Sequence, residues 1–418
     1  MVYVLLNIVP LRSLFIDFNS YFAAVEQQMR PELRHRPVAV APVLTETTCC
    51  IAVSYEAKDF GLYTGMQVAK ARQACPGLEV IEARPSLYVE THKHIHEVVD
   101  SCMAVEEVHS IDEMSCALTR HWRRRDDALQ LAHKIKHKLA AKIGEYVRCS
   151  IGIAPNVLLA KAACDMRKPD GLVVFEDKDL PQCLYALALR DLNGIGPRMG
   201  KRLQRAGIET VEQLYAQPRA ALRKIWGNVG GERIYDALHG AIVSYPATQR
   251  SMVGHSHVLA PAQRNDEEAR AVLLRLLQKA ALRLRRMQYL TRGLELFIEY
   301  IGGGGFSKTI TFRETQDTFE LMQIFNQLWR QRSHPLSKPL MVGISFFDLV
   351  AENNYTPSLF RECGAEKRQR LSTVTDQINA RLGKLAVYFA AAHQARNSAP
   401  MRIAFSFVPE EEFAPISR

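Results

Sequence analysis

The sequence has no Cys-x-x-Cys pair, no low-complexity segment and no apolar stretch long enough to cross a bilayer. The first absence removes zinc-ribbon and thioredoxin-like readings, because both need paired thiols at short spacing. Nine cysteines are scattered over 418 residues, and Cys49 and Cys50 are adjacent, which is poor geometry for an ordinary disulfide. An odd count without a framework points to buried thiols in a reducing compartment. The opening MVYVLLNIVPLRS is apolar but lacks a basic n-region and a small-residue cleavage site. It reads as a leader into a first strand, not as a signal peptide. The expected location is cytoplasmic, with no membrane partner.

What is present is a globular composition, 47% hydrophobic and 23% charged. A chain of this length is expected to form about two to four structural units. The formal net charge is +10. That favours a polyanionic partner, nucleic acid before an anionic membrane surface; a basic protein with no such partner stays open on charge alone.

Strands and helices alternate over the first 175 residues. SLFIDFNSYFAAVEQQ (13–28) starts as an apolar strand and turns helical, and RPVAVAPV and CCIAVSYEA read as short strands. Residues 86–103 and 127–143 carry helical periodicity, VRCSIGIA (147–154) is a strand, and NVLLAKAACDM (156–166) is a helix. From about 178 to 246 the pattern is helical. Residues 251–351 read strand, helix, strand, strand, helix, strand, with GGGG (302–305) as a turn, and 352–418 read as a mixed tail with one helix near 371–385.

Three carboxylates fall at strand ends: Asp17 in LFID, and Asp112 with Glu113 in HSIDEMS. Adjacent carboxylates repel, and desolvating them is costly unless something positive lies between them. Taken alone, a DE pair is most often a solvated turn. Set beside Asp17 in a basic chain it suggests a divalent-metal site, since hard cations take oxygen ligands and leave positions for substrate phosphates.

The segments LFIDFNSYFAAVE, YEAKDFGLYTGM, SIDEMS, SIGIAPNVLLAKAACDMRKPDG and LNGIGPRMGKRL occur in this order at fitting intervals. Together they resemble the Y-family DNA polymerases of the DinB/UmuC type, which copy past damaged bases. The resemblance covers about residues 13–350. It implies an α+β multidomain fold, a right hand with a ferredoxin-like palm, small fingers, a helical thumb carrying a helix-hairpin-helix, and a βαββαβ little finger. The implied boundaries are 1–28 and 86–177 for the palm, 29–85 for the fingers, 178–246 for the thumb, 251–351 for the little finger and 352–418 for a C-terminal tail.

The resemblance also implies the site. Asp17 and Asp112 would bridge two Mg²⁺ ions, Glu113 would bind the ion that activates the primer 3′-hydroxyl, and the Phe18 carbonyl would complete the other. Phosphoryl transfer needs mainly positioning and charge neutralisation, so such a set suffices chemically. Phe22, five positions after Asp17, would exclude a 2′-hydroxyl; read alone, it would be core packing. Tyr55, Lys58 and Lys168 would grip the triphosphate of a dNTP. Lys58 stands where arginine is common and lacks its bidentate fork, and Ala52 stands where a threonine often does. Read alone, Lys168 is a solvated helix end.

LNGIGPRMGKRL has the form of a hairpin in which Gly194 and Gly196 let backbone N–H groups meet a phosphate, with Lys201 and Arg202 strengthening the contact. The expected partners are therefore primer–template DNA and dNTPs. The helix EEARAVLLRLLQKAALRLRRM has an apolar face, with Arg275, Lys279, Arg283 and Arg286 elsewhere on its surface; a phosphate-contacting face and a solvated face both fit. His92, His94 and His96 read as surface histidines, since nothing nearby completes a tetrahedral site. TPSLF (356–360) is similar to clamp-binding peptides that end in Leu-Phe but lacks their leading glutamine; a sliding clamp enters as a partner on that peptide alone. Two other readings stay open: a weak or catalytically silent polymerase-like scaffold that binds DNA, and a two-metal cyclase, against which the glycine hairpin argues.

Overall fold

The computed structural model describes residues 10–244, 251–332, 337–356, 364–382, 386–396 and 398. They form two compact units, the first ending before residue 245 and the second beginning after it. Among the described residues no helix is long and apolar enough to cross a membrane, and the eight described cysteines are free thiols.

The first unit opens with β1 (Ser13–Phe18), every residue of which is buried. A strand covered on both faces reads as a continuous apolar run, and SLFIDF does so except at the aspartate. α1 (Tyr21–Met29) follows directly. The chain then forms a small sheet of β2 (Val38–Ala41), β3 (Ala52–Val53) and β4 (Glu79–Glu82), with α2 (Tyr55–Lys58) and α3 (Val68–Ala74) between β3 and β4. Its strand order is β3-β2-β4, and its core is built from Ala39, Ala41, Val53, Leu62, Val68 and Leu78.

α4 (Pro85–Asp100), β5 (Val105–Val108), β6 (Glu113–Ala117), α5 (Arg125–Lys142), β7 (Cys149–Ala154), α6 (Val157–Met166) and β8 (Leu172–Val174) complete a five-stranded sheet of order β5-β6-β1-β7-β8. β1 is antiparallel to both neighbours. Side chains alternate across a strand. Leu14, Ile16 and Phe18 therefore join α4 and α5 in one core, with Tyr88, Ile95, Val99, Leu131 and Ile135. Phe15 joins α6 on the opposite face, with Leu159, Ala160 and Ala163.

α6 lies very close to β7. A Cβ on Gly152 would fall 1.9 Å from the Ala160 carbonyl oxygen, so only glycine permits this approach. Asn156 caps α6: its Oδ1 accepts from Leu159 N at 3.0 Å, and its amide donates to the Ala237 and Ala241 carbonyls. The helices α7 (Pro197–Arg205), α8 (Val211–Tyr215), α9 (Arg219–Trp226) and α10 (Gly230–Leu238) continue the α6 core through Leu203, Val211, Leu214, Leu222 and Leu238.

The second unit contains β9 (Met252–Val258), α11 (Asp266–Arg286), β10 (Tyr289–Tyr300), β11 (Gly305–Thr315), α12 (Thr318–Arg330) and β12 (Pro339–Ala351). This is the strand–helix order expected from the sequence, in an antiparallel sheet of order β11-β10-β12-β9. Leu294, Leu296 and Ile298 of β10 alternate inward to meet α11 and α12.

α11 has the apolar face expected of it, with Leu273, Leu276, Leu277, Ala280 and Leu284 buried, but of its four named basic residues only Arg286 is fully solvated. Arg275, Lys279 and Arg283 are only partly exposed, and burial pushes the Arg275 guanidinium down from its ordinary value. Lys279 and Arg283 lie over His255 of β9, and the stretch expected to be a tail reaches Arg285. α13 (Ala365–Leu382) brings Asp376 onto Arg285, with N–O distances of 2.6 and 2.8 Å, and Ala392 and Ala395 enter the core.

Candidate functional site

Strand register brings the three carboxylates together. Asp17 pairs with Glu113 across β1 and β6, and Phe18 N donates to the Asp112 carbonyl at 2.8 Å. Period-2 alternation puts Asp17 on the same face as Phe15, the face that α6 covers. The Asp112 turn is tied down twice. Ser110 Oγ donates to Asp112 Oδ1 at 2.6 Å, and the His92 imidazole lies 2.8 Å from the Ile111 carbonyl.

His92 corrects an expectation. It is 4% exposed, not a surface residue. Burial lowers its pKa, which keeps it neutral and able to donate from Nδ1 to that carbonyl. His94 is exposed and His96 half-buried.

The positive charge that the carboxylates require is already present, and its main source was missed from the sequence. Lys161, on α6, donates to Asp17 Oδ2 at 2.6 Å, Glu113 Oε1 at 2.7 Å and Asp165 Oδ1 at 3.1 Å. Lys168 donates to Asp17 Oδ2 at 2.7 Å and pairs with Asp165 Oδ1, also at 2.7 Å. Burial alone would raise the Asp17 pKa, but two ammonium groups overcome it and hold the carboxyl below its ordinary value. Glu113 is raised by burial, with Asp17 and Asp112 adding to the rise, and the bond to Lys161 does not overcome them. Burial also raises Asp112, helped by the Asp17 charge, against the Ser110 hydroxyl, its own backbone N–H and Lys161. Both lysines are held above their ordinary values by these carboxylates, against their own burial.

The nucleotide-grip residues named from the sequence converge on the same point. Burial raises the Tyr55 pKa against the pull of Lys168, with Asp17 and Asp165 adding to the rise. Burial lowers Lys58, helped by repulsion from Lys168, and its Nζ lies 4.0 Å from the Tyr55 ring centroid. Lys168 is positioned through Asn19, whose Oδ1 accepts from Asp170 N at 2.8 Å and whose amide donates to Ser150 Oγ at 3.1 Å. Ala52 is buried in β3 and supplies no hydroxyl.

Phe22 is 3% exposed and stacks on Tyr88 at 4.5 Å between ring centroids. Tyr88 in turn donates to Glu26, which Arg84 grips with two hydrogen bonds. Phe22 thus lies in the core with Phe18 and Tyr21, as its residue type alone would suggest.

The donor set is all hard oxygen: three carboxylates, with the Phe18 carbonyl next in chain. Its chemistry fits a divalent cation of the Mg²⁺ kind. Among the described residues, no group of three or more His, Cys, Asp or Glu side chains is placed to hold a metal ion as the site stands. Lys161 stands in the space between two of the carboxylates.

The glycine hairpin lies elsewhere in the first unit. Gly194 has φ +94°, which glycine adopts freely, and Gly196 precedes α7 as its N-cap. A Cβ at either would meet nothing within 4 Å, so that face of the turn is open. Lys201 is exposed. Arg202 is committed differently from expectation: its guanidinium donates to the Ile225 and Trp226 carbonyls at 3.1 and 2.9 Å, capping the end of α9. The Leu-Phe end of the 356–360 peptide lies outside the described residues.

The sequence matches the impB/mucB/samB family over residues 16–165 and that family's C-terminal domain over residues 250–359. It is 32% identical over 387 residues to a DNA polymerase IV of Moorella thermoacetica, covering 91% of this chain and 95% of that protein. It is 28% identical over 382 residues to DNA polymerase IV 1 of Bacillus subtilis, covering 88% and 90%. Among solved structures, a Y-family DNA polymerase chimera of Dbh and Dpo4 superposes with a TM-score of 0.68 at 23% identity, over 81% of this chain and 99% of that one.

Proposed function

The chain belongs to the impB/mucB/samB family, the DinB-type Y-family of DNA polymerases, and from that membership we propose that Asp17, Asp112 and Glu113 carry two-metal-ion transfer of dNTPs onto a primer 3′-hydroxyl. The protein is a DNA-directed DNA polymerase of the translesion type. The observation that carries the site assignment is the register of β1 against β6, which sets Asp17 opposite Glu113 with Asp112 beside Phe18.

Two Mg²⁺ ions, when bound, supply the charge that turns the 3′-hydroxyl into a nucleophile and steadies the leaving pyrophosphate. Asp17 and Asp112 would hold both ions, Glu113 one, and the Phe18 carbonyl the other. Tyr55 offers a hydroxyl, and Lys58 and Lys168 offer ammonium groups, to the triphosphate. The 4.0 Å seat of Lys58 over the Tyr55 ring supports that grouping. Lys58 brings charge without the arginine fork, so triphosphate binding rests more on Lys168. Phe22, held rigid by its stack on Tyr88, closes the space a ribose 2′-hydroxyl would need. Gly194, Gly196 and Lys201 provide sequence-independent grip on duplex phosphates; Arg202 acts through the α9 end it caps.

In domain terms the reading assigns 1–28 and 86–177 to a palm, 29–85 to fingers, 178–246 to a thumb, and 251–351 to a little finger. A sliding clamp would dock on 356–360, and deleting that peptide should abolish capture by the clamp; capture that survives the deletion removes the clamp from this account.

Primer extension with Mg²⁺ and each dNTP tests the assignment. The wild type should extend a primer–template, and Asp112→Ala should reduce extension by about 10³-fold or more with DNA binding retained. Extension by Asp112→Ala at the wild-type rate sinks the assignment. Tight primer–template binding without extension by the wild type would favour the silent scaffold, which the two lysines lodged among the carboxylates make a specific rival. Phe22→Ala should raise ribonucleotide incorporation; equal exclusion of ribonucleotides would remove Phe22 from the role.

A further inference from the structure

We infer that Lys161 is a built-in counter-ion that holds Asp17 and Glu113 together before divalent ions bind, and that it swings onto Asp165 when they arrive. The inference rests on the reading of Asp17, Asp112 and Glu113 as the ion-binding carboxylates.

An ammonium group has three protons to donate. Lys161 Nζ lies within hydrogen-bond distance of three carboxylates, Asp17, Glu113 and Asp165. It is therefore saturated, and it sits against two of the three side chains assigned to the ions. Its side chain is 13% exposed, so this pair of contacts is screened far less than a surface ion pair. A divalent ion bound to the same oxygens would place two positive centres within a few ångströms of each other, and one of them must leave.

Helix α6 does not supply the movement. The Gly152 contact presses it onto β7, and Asn156 fixes its first turn. The side chain moves instead, and its destination is already in contact. Asp165 is one turn further along α6, at i+4, which puts both residues on the same face. Asp165 also receives Lys168. When Lys168 turns to a triphosphate, the Asp165 oxygen it shared becomes available to Lys161.

Charge counting gives the same direction. The four carboxylates Asp17, Asp112, Glu113 and Asp165 face two ammonium groups, so the cluster keeps a formal excess of negative charge that attracts a cation. Without Lys161, Asp17 and Glu113 would face each other across paired strands with Lys168 bonded to Asp17 alone and Lys58 further off. Lys161 thus keeps the site assembled while lowering its affinity for free ions. Lys168 touches Asp17 but not Glu113, so it competes at one ligand rather than two.

The test uses the full chain labelled with ¹⁵N-lysine. The Lys161 ammonium signal is assigned by its loss in Lys161→Arg and followed as Mg²⁺, then Ca²⁺, is added with a dideoxy-terminated primer–template and dNTP. Mn²⁺ affinity is measured in parallel by electron paramagnetic resonance, with circular dichroism to confirm folding. The Lys161 signal should be protected from exchange without ions and should change with the same midpoint as ion binding. Lys161→Met should tighten Mn²⁺ binding by about tenfold, Lys168→Met by less than about threefold, and Asp165→Asn should weaken it several-fold. An unchanged Lys161 signal at saturating ion, or equal tightening by the two Lys→Met variants, overturns the exchange while leaving the carboxylate site intact. Mn²⁺ binding that survives Asp17→Asn overturns the site reading itself and the exchange with it.

Discussion

Helices α6 and α11 invite comparison. Each packs on a sheet, each carries basic character among apolar residues (a single lysine in α6), and each belongs to a different unit of the chain. α6 aims Lys161 at the sheet face it covers, into carboxylates that come from β1 and β6. α11 keeps its cations near home: Arg285 is locked to Asp376 on α13, and Arg275 Nε finds no hydrogen-bond partner among the described residues. Basic character on a helix therefore says little about function. What separates the two cases is where the opposite charges come from. At α6 they converge on a face that could admit a substrate; at α11 they come from the segment that covers the helix.

The largest effect should come from loosening α6. Gly152→Val would force its Cβ into the Ala160 carbonyl and the Cys164 N–H. It should cost the first unit about 3 kcal/mol, the upper end of overpacking penalties. Extension should fall further than stability does, because Lys161 and Asp165 shift with the helix. Chemical denaturation and primer extension together check this; a normal midpoint would show that α6 is not held there by close contact.

On the α11 side, Asp376→Ala leaves the Arg285 guanidinium, 14% exposed, without its bidentate partner. The expected loss is about 2–3 kcal/mol, between the values for buried and surface pairs. Insertion of a single nucleotide should keep its rate constant. A loss below about 0.5 kcal/mol would mean that α13 does not stabilise the second unit through this pair.

Acid should separate the units more gently. Burial beneath Lys279 and Arg283 pushes His255 down to about 3. The unfolded chain takes up a proton near the ordinary histidine value, about 6.5, where folded His255 cannot. Stability of the second unit should thus be unaffected above pH 7 and fall as the pH drops from about 6.5 toward 3. His255→Gln should remove about 2 kcal/mol of that loss at pH 5, measured by urea midpoints at pH 7 and 5. An unchanged acid slope would contradict a neutral, half-buried His255.

The smallest pair of effects lies on α7, at neighbouring basic residues. Lys201→Ala should lower the salt dependence of DNA binding by about one phosphate contact, a slope change near 0.9, with no change in stability. Arg202→Ala should cost about 1 kcal/mol of stability through its two lost carbonyl bonds, with a smaller effect on the salt slope. The reverse pattern would exchange their roles.

Much of this was legible in the sequence where periodicity or a motif speaks directly. The strand ending in Asp17, the DE turn, the alternating order of the second unit and Lys168 could all be read in advance. Lys161 could not, although it lies inside a quoted motif. On the chain it is a lysine in an apolar helix with Asp165 at i+4, which is also how an ordinary surface ion pair looks. Only the register of β1 and the nearness of α6 reveal that its tip reaches two other elements. His92 was misjudged for a related reason: its carbonyl partner is nineteen residues away, at Ile111. The basic face of α11 stayed open between two readings because helical periodicity identifies a buried face but not a second cover.

The most direct measurement is the ternary structure with Mn²⁺, primer–template and an incoming dNTP, with the ions located by their anomalous scattering. The account predicts two peaks about 4 Å apart, bridged by Asp17 and Asp112, with Glu113 on one of them. Peaks elsewhere, or Asp17 and Glu113 still bound to Lys161 in a complex poised to react, would contradict it.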